Sequence, residues 1–352
     1  MSDRVYLDWN ATAPLRPEAK AAMVAAMDLV GNPSSVHAEG RAARALVEKA
    51  RDRLARAFGA EGADIVFVSG ATEAAALLCA GRGLAGAAVE HEAVSAWVDD
   101  GLPVDAQGQV TVADPGATAL QLANSETGVL QSLPEGLAVC DATQGFGKLP
   151  LAFNWLGAGA VMLSAHKFGG PKGVGAVILR RGTDLAAQLK GGGQEMGRRA
   201  GTENILGIVG MAAAAEAAAR DLAAGEMERV AARRDALEAR LVDRLPGLIC
   251  AGKGAARLPN TTCLVLPGWK GETQVMQMDL AGFAVSAGSA CSSGKVRPSR
   301  VLAAMGFDPD AAASAIRVSI GATTRDEDLQ RFATAYLAAA ERHRTKHRAP
   351  AA

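Results

Sequence analysis

In Ala160-Val161-Met162-Leu163-Ser164-Ala165-His166-Lys167-Phe168-Gly169-Gly170-Pro171-Lys172-Gly173, an apolar run passes straight into small polar residues, a histidine and a lysine. Glycine-rich sequence then leads to a second apolar segment, Val174 to Leu179. The pattern predicts a buried strand with Lys167 at its mouth, a turn, and a further strand. Desolvation at such a mouth lowers a lysine pKa and makes the neutral, nucleophilic amine available. That suits a lysine that forms a Schiff base with a carbonyl compound, and pyridoxal phosphate is the commonest cofactor that needs one. Taken alone, Ser164-Ala165-His166-Lys167 also fits a solvated lysine at a strand end, which is the commoner case. The cofactor reading therefore requires a phosphate cradle, a partner for a ring nitrogen and a reactive group elsewhere in the chain.

Outward from this stretch, other apolar segments are also apolar throughout rather than alternating. They are Ile65 to Val68, Ala87 to Val89, Leu120 to Ala123 and Leu137 to Asp141, as expected of strands buried on both faces of a mostly parallel sheet. Helical spacing predicts helices over 16–30, 37–58, 204–222 and 226–245. After Gly247 the elements shorten: a strand over 262–266, a helix near 273–280, a strand at 284–286, a strand over 316–320 and a terminal helix over 326–343. The expected fold class is α/β: a large domain over 13–250 with a mostly parallel sheet, and a smaller C-terminal α+β domain formed by 1–12 and 251–352.

Composition narrows the partners. Lys plus Arg number 37 against 37 Asp plus Glu, so no overall field favours nucleic acid or an anionic membrane. Met1-Ser2-Asp3-Arg4 leads directly into Val5-Tyr6-Leu7 with no charged-then-apolar leader, and the apolar runs are broken well short of a membrane span. A soluble, cytoplasmic protein is expected. The five cysteines are odd in number and far apart, which argues against a disulfide framework and against a metal site made by this chain alone.

The required groups are present. Ser69-Gly70-Ala71-Thr72-Glu73 sits where a strand gives way to a helix, so the backbone N–H groups near Ala71 and the Thr72 hydroxyl suit a phosphate; an ordinary N-cap threonine fits that segment equally well. Asp141, in Cys140-Asp141-Ala142-Thr143-Gln144, ends an apolar strand, where a carboxylate needs a cation such as a protonated pyridine nitrogen, or else caps the next helix. Gln144 could reach the phenolic oxygen of the same ring. His91 could stack on a flat ring and move protons, or be a plain loop histidine. Ser286-Ala287-Gly288-Ser289-Ala290-Cys291-Ser292-Ser293-Gly294 surrounds one thiol with small polar residues, unlike the apolar settings of Cys79, Cys140, Cys250 and Cys263. Arg317 interrupts an apolar strand and calls for a carboxylate, either a substrate's or an internal one.

In this order the segments resemble the cysteine desulfurase family, of the aspartate-aminotransferase fold (fold type I) of pyridoxal-phosphate enzymes. The matching stretches include Tyr6 to Pro14, Gly31 to Ser35, Ser69 to Glu73, Glu90-His91, Glu126-Thr127-Gly128, Asp141 to Gln144, Ser164 to Lys167, Gly191 to Glu195, Arg199 to Thr202 and the Cys291 segment. The resemblance implies that Lys167 carries the cofactor, Asp141 pairs with its ring nitrogen, Gln144 bonds the ring oxygen and His91 stacks and shuttles protons. It implies further that Thr72, Ser164 and His166 hold the phosphate, and that Thr202 reaches the phosphate of the other subunit of a homodimer. Arg317 would bind the carboxylate of L-cysteine. Cys291 would take the sulfur as a persulfide, leaving alanine, and pass it to acceptor proteins such as an iron–sulfur scaffold. Two departures stand out: Asn124-Ser125 replaces the usual pair of asparagines, and the stretch from Gly83 to Leu122 is short. Selenocysteine lyase, another pyridoxal-phosphate lyase, and a catalytically silent sulfur-relay scaffold are the rival readings.

Overall fold

Successive residues of the strand Ala160–Ser164 face opposite sides, and both sides are apolar: Val161 and Leu163 enter one core, Ala160 and Met162 another. The computed structural model, which describes residues 4–288 and 298–348, repeats this division in every strand of the central sheet. In chain order, β1 (Val5–Tyr6) precedes helices α1 (Pro17–Ala26) and α2 (Ala38–Ala57). Next come β2 (Asp64–Val68), α3 (Ala71–Cys79), β3 (Ala85–Ala87), the single turn α4 (Glu92–Ser95) and β4 (Asp99–Leu102). Strands β5 (Ala119–Gln121), β6 (Val139–Asp141), β7 (Ala160–Ser164) and β8 (Gly175–Leu179) lead into α5 (Ile205–Ala223) and α6 (Glu226–Arg244).

The central sheet has the order β2-β8-β7-β6-β5, and β8 alone runs against the other four. The sheet is thus mostly parallel, with one exception that has a simple cause. Ser164 and Gly175 pair with each other, and the glycine-rich link between them is too short for a helical crossover, which takes about a dozen residues. Helices α1, α2 and α5 cover one face, with Phe58, Phe146 and Phe168 in edge-to-face contact beneath them. Helix α3 covers the other face. Helix α1 stops at Ala26, short of the expected Val30, because the residues beyond find no core: Val30 is 79% exposed just before Gly31-Asn32-Pro33.

The chain goes on through β9 (Ile249–Cys250), β10 (Thr261–Val265), α7 (Gly271–Leu280), β11 (Phe283–Ala284), β12 (Ser286–Ala287), α8 (Arg300–Ala304), α9 (Pro309–Ala313), β13 (Ala315–Ser319) and α10 (Asp326–Arg348), and β9, β10, β12 and β13 make a second, antiparallel sheet. Its order is β12-β13-β10-β9. Leu264, Ile316 and Val318 pack there against Leu237 and Leu241 of α6 and Phe332 and Tyr336 of α10. Helix α6 therefore buries its apolar side in the second core. The N-terminal residues join this core as well: β1 pairs with β11, and Asp8 bridges to Ser319. Side chains alternate along β13, so Arg317 points away from Ile316 and Val318, towards the central sheet. Among the described residues no helix is long and apolar enough to cross a membrane.

Candidate active site

The carboxyl ends of β2, β6 and β7 open on one cavity of about 610 Å³. Ligands of open α/β sheets bind at this edge, where strand-end side chains and helix starts face a crevice. At one end of the cavity, Ser69 and Gly70 lead into α3, whose first residues Ala71 and Thr72 line the wall. Amides at a helix start have no partner within the helix and suit an anion. The start is braced from outside, since Glu73 accepts from the Ser69 amide at 2.7 Å and from Arg199 Nε at 2.9 Å. Opposite stand Ser164 and His166. The His166 Nδ1 is buried with no hydrogen-bond partner among the described residues, and burial, then Lys167 and Lys172, pushes the ring down to about 4. Strand β8 passes close beneath: a Cβ on Gly175 would stand 2.5 Å from the Leu163 carbonyl oxygen and 2.8 Å from the Gly70 Cα.

At the other end, Asp141 is buried, with Oδ1 accepting the Thr143 amide at 2.9 Å and no side-chain cation bridging it among the described residues. Gln144 lies beside it, and Lys167 Nζ donates to the main-chain oxygens of Asn10 at 2.7 Å and Ala11 at 3.0 Å. His91 Nδ1 accepts the Ala93 amide at 3.1 Å, so the hydrogen of the neutral ring sits on Nε2. Loss of water, reinforced by Lys167 and opposed by Asp141, lowers the His91 pKa and keeps the ring neutral. These residues fit pyridoxal phosphate. The open helix start and the orphaned His166 nitrogen suit its phosphate, the unbridged Asp141 suits a pyridinium, and the Lys167 amine suits its carbonyl.

A second cavity, of about 470 Å³, shares Ala11, His91, Ser125 and Lys167 with the first. Arg317 lines it, donating from NH1 to the Ser125 carbonyl at 3.0 Å and from NH2 to Asp8 Oδ1 at 2.6 Å, while its Nε is buried without a partner among the described residues. Gly288 and Pro298 line the same cavity. They flank residues 289–297, and Cys291 lies outside the described residues. Thr202 is exposed and lines neither cavity of its own chain. Of the unusual pair, Asn124 turns inward to hold a loop, accepting the Glu126 and Thr127 amides at 2.9 Å, whereas Ser125 faces both cavities.

Residues 5–97 and 105–332 match the class-V aminotransferase family. A cysteine desulfurase of Cereibacter sphaeroides is 39% identical over 94% of this chain and 94% of its own length. The cysteine desulfurase IscS of Dictyoglomus turgidum is 36% identical over 94% of this chain and 92% of its own. This chain belongs to the class-V aminotransferase family, among the cysteine desulfurases. Pyridoxal phosphate is the cofactor of that family. The X-ray structure of a NifS-like protein from Rickettsia africae superposes with a TM-score of 0.87 at 29% identity, covering 96% of this chain and 99% of that one. The family match skips residues 98–104, within the short stretch that follows His91.

Three residues of this class-V aminotransferase site carry no role in the sequence reading: Asp8, Asn10 and Lys148. Asn10 is a hub. Its main-chain oxygen takes Lys167 and Gln144, its Oδ1 takes Lys148 and Asn260, and its Nδ2 donates to Thr261 and the Ser125 carbonyl. Asp8 and Asn10 stand inside the Tyr6 to Pro14 match, a signal that named the stretch without a task for either side chain. Lys148 left a fainter trace, as a lone lysine after Gly145-Phe146-Gly147.

Proposed function

We propose that the protein is a homodimeric, cytoplasmic cysteine desulfurase that takes sulfur from L-cysteine, leaves L-alanine and keeps the sulfur as a persulfide on Cys291. An acceptor protein, such as an iron–sulfur scaffold, then receives it. One observation carries the reading: Lys167, in the turn after β7, and Arg317 of the second sheet line one cavity, which shares Ala11, His91, Ser125 and Lys167 with the cavity at the central sheet. A reactive amine and a carboxylate-binding guanidinium so placed suit a small amino acid held between them.

In this reading Lys167, Asp141, Gln144 and His91 hold the cofactor ring, and Ala71, Thr72, Ser164 and His166 hold its phosphate. When bound, pyridoxal phosphate supplies the electron sink that makes the substrate Cα–H acidic. Arg317 binds the substrate carboxylate through the edge that carries its unpartnered Nε. The Lys167 amine moves the proton at Cα, and the neutral His91 ring accepts or returns protons at the substrate sulfur. Cys291 attacks that sulfur as a thiolate. An S–S bond forms, the C–S bond breaks, its electron pair stays on the substrate carbon, and a proton completes the methyl group of alanine. L-cysteine plus thiol thus becomes L-alanine plus persulfide. Thr202, exposed and away from its own cavity, is assigned to the phosphate held by the partner subunit.

The test is to mix cofactor-loaded protein with L-cysteine without reductant, measure alanine and map sulfur adducts by peptide mass. One added sulfur on Cys291 with matching alanine is the expected result. Alanine without that adduct would replace the proposal with a lyase that releases sulfur directly. Neither product, with a fully loaded protein, would overturn it.

A further inference from the structure

Lys148 is a buried amine with no carboxylate paired to it among the described residues. It follows Gly147, whose φ of +76° only glycine adopts readily and whose Cβ would collide with Phe168 Cβ at 2.9 Å. The tight turn brings Lys148 back beneath Gln144, four residues earlier. There Nζ donates to Gln144 Oε1 at 2.6 Å and to Asn10 Oδ1 at 3.0 Å. Burial first, then the charges of Lys167 and Arg317, drive its pKa well below the ordinary lysine value. Both partners are amide oxygens, which only accept, so Nζ is the donor in each contact.

The two ends of an amide are told apart only by their partners. For Asn10 the partners are decisive: Nδ2 donates to the Ser125 carbonyl, an acceptor only, so Oδ1 must face Lys148. For Gln144 the same holds. Its Nε2 donates to the Asn10 carbonyl at 2.9 Å, its Oε1 faces Lys148, and no partner for the second Nε2 hydrogen occurs among the described residues. Gln144 lines the first cavity beside Asp141 and Lys167, so it can offer that cavity a donor.

We propose that Lys148 is a positioning residue: it pins the Gln144 oxygen so that the amide NH2, and not the carbonyl, faces the ring oxygen of the bound cofactor. The inference rests on the functional reading above and extends it to a residue that does not touch the cofactor. A donor at the ring oxygen stabilises its negative charge and so favours loss of the proton shared at that edge of the cofactor. A carbonyl turned there would repel the charge and do the reverse. Lys148 reaches the cavity only through Gln144, because its Nζ is taken up by Gln144 Oε1 and Asn10 Oδ1.

The readout is the absorption of the bound cofactor, titrated with pH in the resting holoenzyme. Lys167, Asp141, His91, His166 and Lys172 in the cavity, and Arg317 beyond Ser125, remain in every variant. Lys148→Met and Gln144→Met should each raise the titration midpoint by about one pH unit, the size of one lost hydrogen bond to a charged oxygen. The double variant should move no further than either single one. Should Lys148→Met fail to fold, Lys148→Leu in the Gln144 and Gln144→Met backgrounds supplies the same cycle, with a shift expected only in the first. An unmoved midpoint in the Lys148 variant, or shifts that add in the double one, would overturn the inference. A wild-type protein that takes up no cofactor would instead overturn the functional reading, and this inference with it.

Discussion

Asp8 and Arg317, 309 positions apart, form an ion pair at 2.6 Å in which Asp8 is itself held by Ser286 Oγ at 2.7 Å. The pair is mostly buried, and the guanidinium is fixed a second time by the Ser125 carbonyl. NH1 and NH2 are thereby held, while Nε has no partner among the described residues. A planar fork held at two points loses little entropy on taking a carboxylate.

Asp8→Asn keeps the shape and one acceptor but loses the charge. KM for L-cysteine should rise roughly five-fold, about 1 kcal/mol, with kcat little changed. Arg317→Lys, which cannot offer a fork, should raise KM by about a hundred-fold. Steady-state kinetics separate the two, and an unchanged KM for Asp8→Asn would mean that the Ser125 carbonyl orients Arg317 alone.

Asp141 is a buried carboxylate with no cation bridging it among the described residues, an arrangement that costs stability until a positive ligand arrives. Asp141→Asn should therefore raise the Tm of the cofactor-free protein while weakening uptake of pyridoxal phosphate by about ten-fold or more. Opposite signs in the two measurements are the expected signature. A fall in both would show that Asp141 serves the fold rather than the ligand.

His166 titrates near 6.5 in the unfolded chain and at about 4 when folded, chiefly because of burial. Below 6.5 the unfolded chain holds the additional proton, so the stability present above that pH is lost as pH falls towards 4. Glu90 and Glu126, whose buried carboxyls are pushed up, act in the opposite sense, losing stability as pH rises. The comparison with His166→Asn isolates the histidine: its denaturation series should fall less steeply over that interval. Equal slopes would show that the ring titrates as in water.

Gly175→Ala places a methyl group against two backbone atoms, the Leu163 oxygen and the Gly70 Cα, neither of which can turn aside. Overpacking of this kind costs about 1–3 kcal/mol. Because Gly70 precedes the helix start that would receive the phosphate, cofactor affinity should fall more than thermal stability predicts. Equilibrium dialysis of pyridoxal phosphate, set beside the melting curve, tests this.

Much of this protein is legible in its sequence. Uninterrupted apolar strands announce a sheet covered on both faces, since Val161 and Leu163 must find one core and Ala160 and Met162 another. Strand-end residues such as Ser164, Lys167 and Asp141 are equally plain, because polar groups that close an apolar run have to meet solvent or a ligand. Periodicity and chain ends are local properties, so local sequence carries them. Helices α8 and α9 and the strands β4 and β9 escaped, being too short to express a period.

What the tertiary structure alone decided is which of these groups meet, and in what orientation. The short link after Ser164 implies reversal of β8, but only the folded sheet sets Gly175 against Gly70. Arg317 calls for a carboxylate in the sequence, yet its partner Asp8 and its place beside the Lys167 cavity arise only where β13 meets the N-terminal segment and the loop at Ser125. The Lys148, Gln144 and Asn10 contacts are of the same kind. Hydrogen bonds have direction, and the direction of a donor depends on groups brought together from distant parts of the chain, which no local pattern records.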